Sequence, residues 1–209
     1  MGKLFIELTE YLRCPTAHEN TYCVLSSEEM AGRHVVSGTV GCPVCHSEYH
    51  IREGVLFLSE DETSTSGGDV SGINASGVQA LLALQSPGGY VVLIGSASLL
   101  APQLIDMIGM VHFVGVNSPE PESVLPSLSS ITRSHVLPLR NSFCRGVVIG
   151  SEYCQHHWLE ESARILLSGQ RLVALAELDG VNGLETLAVG EGMWVGRKIS
   201  AGNADSRQT

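Results

Sequence analysis

Cys42-Pro43-Val44-Cys45 constrains this chain more than any other stretch, because two thiols with two residues between them form a knuckle of the spacing that grips one zinc ion. A tetrahedral site asks for two further ligands, and Cys14-Pro15-Thr16-Ala17-His18 lies upstream to supply them. Cys14 pairs there either with His18, three residues between, or with Cys23, eight between. Tight knuckles have two to four intervening residues, which prefers His18 and leaves Cys23 as the alternative. His46 adjoins a ligand and reads as solvent-facing; His34 and His50 fall on strand-like segments and read as ordinary surface residues. Four protein ligands close the coordination sphere to water and substrate, so the expected zinc is structural. Residues 1–60 are few for stability by apolar burial alone. Zinc contributes roughly 10–16 kcal/mol in small zinc peptides, more than most whole domains possess, so its removal is expected to unfold this segment.

Along the chain, Leu4, Phe5, Leu8, Tyr11 and Leu12 recur at helical spacing up to Arg13-Cys14-Pro15. The alternating, β-branched run Arg33–Val40 predicts a strand that delivers Cys42 and Cys45. Glu48–Ile51 and Val55–Leu58 flank Arg52-Glu53-Gly54 and predict a hairpin. Residues 61–72 are acidic or Ser, Thr and Gly with little to pack, so a flexible linker is placed there, with a second domain over 73–199 and a loose tail over 200–209.

That second part alternates helix and strand. A helix is expected over Val78–Gln85, the continuous apolar run Tyr90–Ile94 reads as a strand covered on both faces, and a helix over Leu99–Ile108 leads to a strand over Val111–Val116. Shorter strands are expected at Val136–Leu139 and Gly146–Ile149. A helix follows from Glu152 to Ser168, closed by Gly169, then a strand from Arg171 to Leu178. Leu184–Val189 and Met193–Ile199 suit a terminal hairpin. The fold class is therefore α/β: a small β-rich zinc ribbon followed by a shortened, doubly wound Rossmann-like domain with an antiparallel end.

The net charge of −10 and the scattering of Lys and Arg argue against nucleic acid as a direct ligand. No apolar run has the length of a membrane span, and the N-terminus lacks a signal-peptide core. Cys144 and Cys154 are isolated, so a disulfide framework is not expected and a reducing, cytoplasmic setting is.

Leu12-Arg13-Cys14-Pro15, Gly38-Thr39-Val40-Gly41-Cys42-Pro43-Val44-Cys45 and Tyr49 through Leu58 resemble the small zinc-ribbon proteins that activate tRNA, rRNA and release-factor methyltransferases. The first knuckle departs from that family, which has CPxC where this chain has Ala17 and then His18. The resemblance implies a module without catalysis of its own that stabilises a methyltransferase by adding a strand and covering apolar surface, with Val55–Leu58 as the strand edge on offer. It also directs attention to residues 73–199, where Tyr90–Gly95 and Val111–Val116 look like the first two strands of a class I methyltransferase.

A cofactor site of that architecture uses a glycine-rich first turn and an acid at the tip of the second strand. Here the turn is Gly95-Ser96-Ala97-Ser98 and the tip holds Asn117. After the fourth strand, Val148-Ile149-Gly150-Ser151-Glu152 carries no catalytic motif, and Glu152, His156 and His157 read as a solvated helical turn. No catalytic residue is assigned; Asp106 and Asp179 have no supporting motif. The expectation is a non-catalytic interaction protein, a zinc ribbon fused to a degenerate methyltransferase-like domain, that binds a protein partner or a copy of itself. The alternative is an S-adenosylmethionine-dependent methyltransferase carrying its activator in cis, with Gly95, Ser96 and Asn117 at the cofactor.

Overall fold

The computed structural model describes residues 4–60, 68, 70, 72–121 and 124–199. Most of the expected linker, and the whole of the expected tail at 200–209, lie outside the described residues.

The N-terminal part contributes β1 (Leu4–Phe5), β2 (Val24–Ala31), β3 (His34–Gly41), β4 (Glu48–Arg52) and β5 (Val55–Phe57). β4 and β5 form the predicted hairpin, with Glu53 and Gly54 at φ of 51° and 74° in its turn. Glycine removes the steric cost of that backbone at one of the two positions. The helical spacing of Leu4, Leu8 and Leu12 resolves into β1 and a 3-10 turn over Ile6–Tyr11, and all three leucines are buried.

After these strands come α1 (Ala75–Leu82), β6 (Tyr90–Ile94), α2 (Ala101–Met107), β7 (His112–Val116), β8 (Leu128–Thr132), β9 (Cys144–Ile149), α3 (His156–Ile165), β10 (Leu166–Ala174), β11 (Leu184–Gly190) and β12 (Met193–Lys198). Asn74 caps α1, its side-chain oxygen accepting from the Ser76 N–H at 3.0 Å. The strands run β8-β7-β6-β9-β10-β12-β11, parallel from β8 to β10 and antiparallel through β12 and β11. Alternate residues of the parallel strands enter two cores. Val91, Leu93, Phe113 and Val148 pack with Val78, Leu82 and Leu104 of α1 and α2; Val92, Ile94, Val114, Val147 and Ile149 pack with Trp158, Leu159 and Ala163 of α3. Helices on both faces of a mostly parallel sheet make this a doubly wound, Rossmann-like fold.

The N-terminal and Rossmann-like strands belong to one sheet. β5 pairs in parallel with β8 in the register Val55↔Ser130, Leu56↔Ile131 and Phe57↔Thr132, and β4 and then β3 continue outward from it, with β1 and β2 both paired to β3. The edge expected at Val55–Leu58 is thus satisfied within the chain. Among the described residues no helix joins β7 to β8 or β8 to β9. The Ile6–Tyr11 turn and residues 137–143 take up that face instead, with Leu8, Leu12, Leu137, Leu139 and Phe143 in the same core as Val92, Val114 and Ile149. At roughly 1.5–3 kcal/mol for each large apolar side chain buried, this covering layer is a major part of the fold's stability.

Three expectations are corrected. Val136–Leu139 is not a strand: Leu139 makes only an isolated bridge to Leu12, and the third parallel strand is β8. The helix expected to reach Ser168 ends at Ile165, and Gly169, at φ 79°, lies in β10 where its register with β9 shifts. The helix expected over Leu99–Ile108 is divided, with a 3-10 turn over Gly95–Leu100 before α2.

Candidate metal centre and ligand crevice

Two loops bring the first site together. Cys42 directly follows β3, and its knuckle reverses through a hydrogen bond from the His46 N–H to the Cys42 carbonyl at 3.0 Å, with His46 in the left-handed region at φ 56°. The other loop is closed by two backbone bonds, Cys14 N–H to Thr21 O and Cys23 N–H to Leu12 O, both 3.0 Å, and carries His18 at its far end. The ligand atoms of Cys14, His18, Cys42 and Cys45 lie within 4.8 Å of one another. Cys14 Sγ and Cys45 Sγ are 3.6 Å apart, and Cys42 Sγ and His18 Nε2 are 3.4 Å apart. A tetrahedral zinc with bonds of about 2.3 Å to sulfur and 2.0–2.1 Å to nitrogen separates its ligands by roughly 3.5–3.8 Å, so the four groups fit the ion.

The surroundings prepare these atoms for metal. His18 Nδ1 lies 2.6 Å from the Glu19 carbonyl, which can only accept; Nδ1 therefore carries a proton, and Nε2 is the ring atom turned to the thiols. Hydrogen bonds to Ser47, whose hydroxyl is 3.2 Å from Cys45 Sγ, bring the Cys45 thiol down to about 5. Burial works against ionisation of Cys14, but hydrogen bonds from Tyr49, Thr16 and His18 outweigh it and lower its pKa. Cys23 is adjacent but outside the four-atom group, and burial, reinforced by the neighbouring thiolates, pushes it up to about 12. Burial also raises the Cys42 thiol, so Cys14 and Cys45 are the two sulfurs shifted towards the thiolate.

Arg13, in the first knuckle, ties this module to α3. Its guanidinium meets the Glu161 carboxylate at 3.1 Å, and Arg164 grips the same carboxylate through Nε at 2.7 Å and Nη2 at 2.8 Å.

The second candidate site is the crevice where strand order reverses, between β6 and β9, the usual ligand position in an open α/β sheet. Gly95 leaves β6 with φ 63°, and Ser96 follows, buried. Their space is taken by the chain itself. Glu152, in the 3-10 turn Ser151–Tyr153 after β9, accepts from the Ser96 N–H at 2.5 Å and from the Ser96 hydroxyl at 2.9 Å. A methyl group added at Gly95 would collide with the Glu152 carboxylate and the Tyr153 ring, and one added at Gly150 or Gly68 would meet Ser96 Oγ and Glu152. Glycine is what lets these groups close in.

Asn117 is 4% exposed, and both ends of its amide are engaged: Nδ2 donates to Ser134 O at 2.7 Å and Oδ1 accepts from the Ser134 N–H at 2.9 Å. Glu152 is therefore not the solvated residue expected from the sequence. His156 and His157 are, both exposed, with His156 3.4 Å from Glu160 and the His157 ring beside Trp158. Sequence reading overlooked Glu152 as a crevice residue because its partner is 56 positions away.

No protein-family model matches the chain, and no curated protein matches it. Solved structures do. A chain of the Haloferax volcanii complex between the Trm112 methyltransferase activator and a methyltransferase is similar at 24% identity and a TM-score of 0.39, over 48% of this chain and 50% of that one. The present chain thus spans about half its length. The antibiotic-resistance methyltransferase Kmr is similar at 14% identity and a TM-score of 0.42, over 61% of this chain and 93% of that one. A SAM-dependent methyltransferase from Aquifex aeolicus gives 15% identity and a TM-score of 0.46, over 62% and 92%. No described helix is long and apolar enough to cross a membrane.

Proposed function

We propose that this protein is a non-catalytic, zinc-binding interaction protein: an activator-like ribbon over residues 1–60 joined to a degenerate methyltransferase-like domain over 73–199. Cys14, His18, Cys42 and Cys45 hold one structural zinc, and the protein works in the cytoplasm bound to a protein partner or to itself. The observation that carries this reading is the Glu152 carboxylate, which takes the Ser96 N–H and hydroxyl at the switch point of the sheet. A nucleotide-type ligand approaching that turn would have to displace two hydrogen bonds to a charged acceptor, each about 1.5–3 kcal/mol. The second support is the use of β5 in cis. The ribbon family that the sequence resembles completes a methyltransferase from outside, whereas here the added strand and covering layer serve the chain's own sheet. A partner then meets the strands left at the two ends, β2 or β11.

Isothermal titration with S-adenosylmethionine is the test. No saturable heat is expected; a clean micromolar isotherm would overturn the reading in favour of a methyltransferase with its activator in cis. Metal analysis is expected to return one zinc per chain, lost in Cys42→Ser and Cys45→Ser. His18→Ala is expected to weaken zinc far more than Cys23→Ala does.

A further inference from the structure

A cavity of about 140 Å³ beside the first knuckle is bordered by Arg13, Asn20, Thr21, Tyr22, Arg140 and Asn141, with no acidic residue among them. Its walls are rich in donors. Asn20 Oδ1 is 3.2 Å from Arg13 Nη1, and Asn141 Oδ1 is 2.8 Å from Arg164 Nη1. A guanidinium only donates, so in both amides the oxygen is spent on arginine and the NH2 group has no acceptor among the described residues. Thr21 is the exception, its hydroxyl hydrogen going to Glu19 O at 3.2 Å.

Charge points the same way. Arg13 and Arg164 share the single carboxylate of Glu161, while Arg140, its guanidinium 4.4 Å over the Tyr11 ring, has no carboxylate within ion-pair distance among the described residues. Two guanidinium groups thus share one acid and a third, Arg140, borders the same cavity without one, in a chain whose net charge is −10. Arg13 Nε adds a buried donor with no acceptor among the described residues. Such a shortage of acceptors costs free energy that an oxyanion or water would relieve.

We propose that this cavity binds a small tetrahedral oxyanion, a phosphate or phosphoryl group. Arg140 and the Asn20 and Asn141 amides donate to its oxygens, and Arg13 supplies the second positive charge. Planar guanidinium groups suit such a ligand because their paired N–H groups match its oxygens two at a time. Lys and Arg form no run in the sequence; the cluster exists only because the fold brings positions 13, 140 and 164 together.

The zinc-loaded chain, in an oxyanion-free buffer of low ionic strength, is titrated calorimetrically with inorganic phosphate and, separately, with phenyl phosphate. One-to-one binding in the millimolar range or tighter is expected, weakened about tenfold or more by Arg140→Gln and by Asn141→Asp. Asn141→Asp places a carboxylate in the cavity while giving Arg164 a better acceptor, so an unchanged far-UV spectrum is expected. Binding of inorganic phosphate assigns the free anion, and binding of phenyl phosphate alone assigns the esterified group. No saturable heat with either, or affinity unchanged in both folded variants, overturns the proposal.

Discussion

His112 opens β7 with its Nε2 2.8 Å from the Ser129 hydroxyl and its ring stacked 4.8 Å from Phe5. Burial, with a smaller contribution from His34, depresses its pKa from 6.5 to about 4. A group kept neutral in this way stabilises the fold fully above its unfolded value, and the stabilisation is lost as pH falls from 6.5 towards 4. The amount at stake is roughly 3 kcal/mol. Urea denaturation between pH 7.5 and 4.5 is expected to show a steeper loss of stability in the natural sequence than in His112→Gln, which cannot charge. Glu161 is a second residue on which much depends. Burial would raise its pKa, but the hydrogen bond and charge of Arg164, together with Arg13, lower it. Its side chain is 19% exposed, so the pair is partly screened, and Glu161→Ala is expected to cost about 2–3 kcal/mol as a shift of the urea midpoint at unchanged slope. Glu152 is the counterpart in the crevice: Gly95→Ala is expected to destabilise the protein by about 2 kcal/mol or more, since it adds both a left-handed-backbone penalty and overlap with Glu152 and Tyr153.

At the level of elements, the join between β5 and β8 makes the sharpest demand. Leu56 is fully buried opposite Ile131, so Leu56→Ala is expected to cost about 2–4 kcal/mol, and the β5 amides are expected to exchange with solvent as slowly as those of β6. Much of this architecture was legible in the sequence, for a physical reason. Tyr90–Ile94 had to be covered on both faces, Glu53-Gly54 had to turn, and the CPVC spacing had to present two thiols together. What escaped was pinned by distant partners. β8 reads Leu-Ser-Ser-Ile-Thr, too polar to resemble a buried strand, yet it is buried throughout because Ser129 has partners in His112 and the Phe5 N–H. β2 is exposed along nearly all its length and is held by its pairing with β3. Gly169 carried a helix-stop signal that the chain used for a strand irregularity. The two Cys/His loops were visible because each is local; which of His18 and Cys23 joins the four-residue cluster depended on the folding of the whole loop between them.

For the molecule as a whole, the shared sheet and shared core imply that the N-terminal strands, with their Cys/His cluster, and the Rossmann-like part melt together. A strong chelator is therefore expected to abolish the near-UV signal of Trp158 and Trp194, both in that core, in step with zinc release, and thermal unfolding of the loaded protein is expected to follow a single transition. Two separate transitions would show the parts to be energetically independent. The pairing of β5 with β8 has one more implication. Both strands sit on the same polypeptide, so their union carries no bimolecular term: the two halves stay joined at any dilution, and how long they remain so is decided by the unfolding rate instead of by encounter frequency.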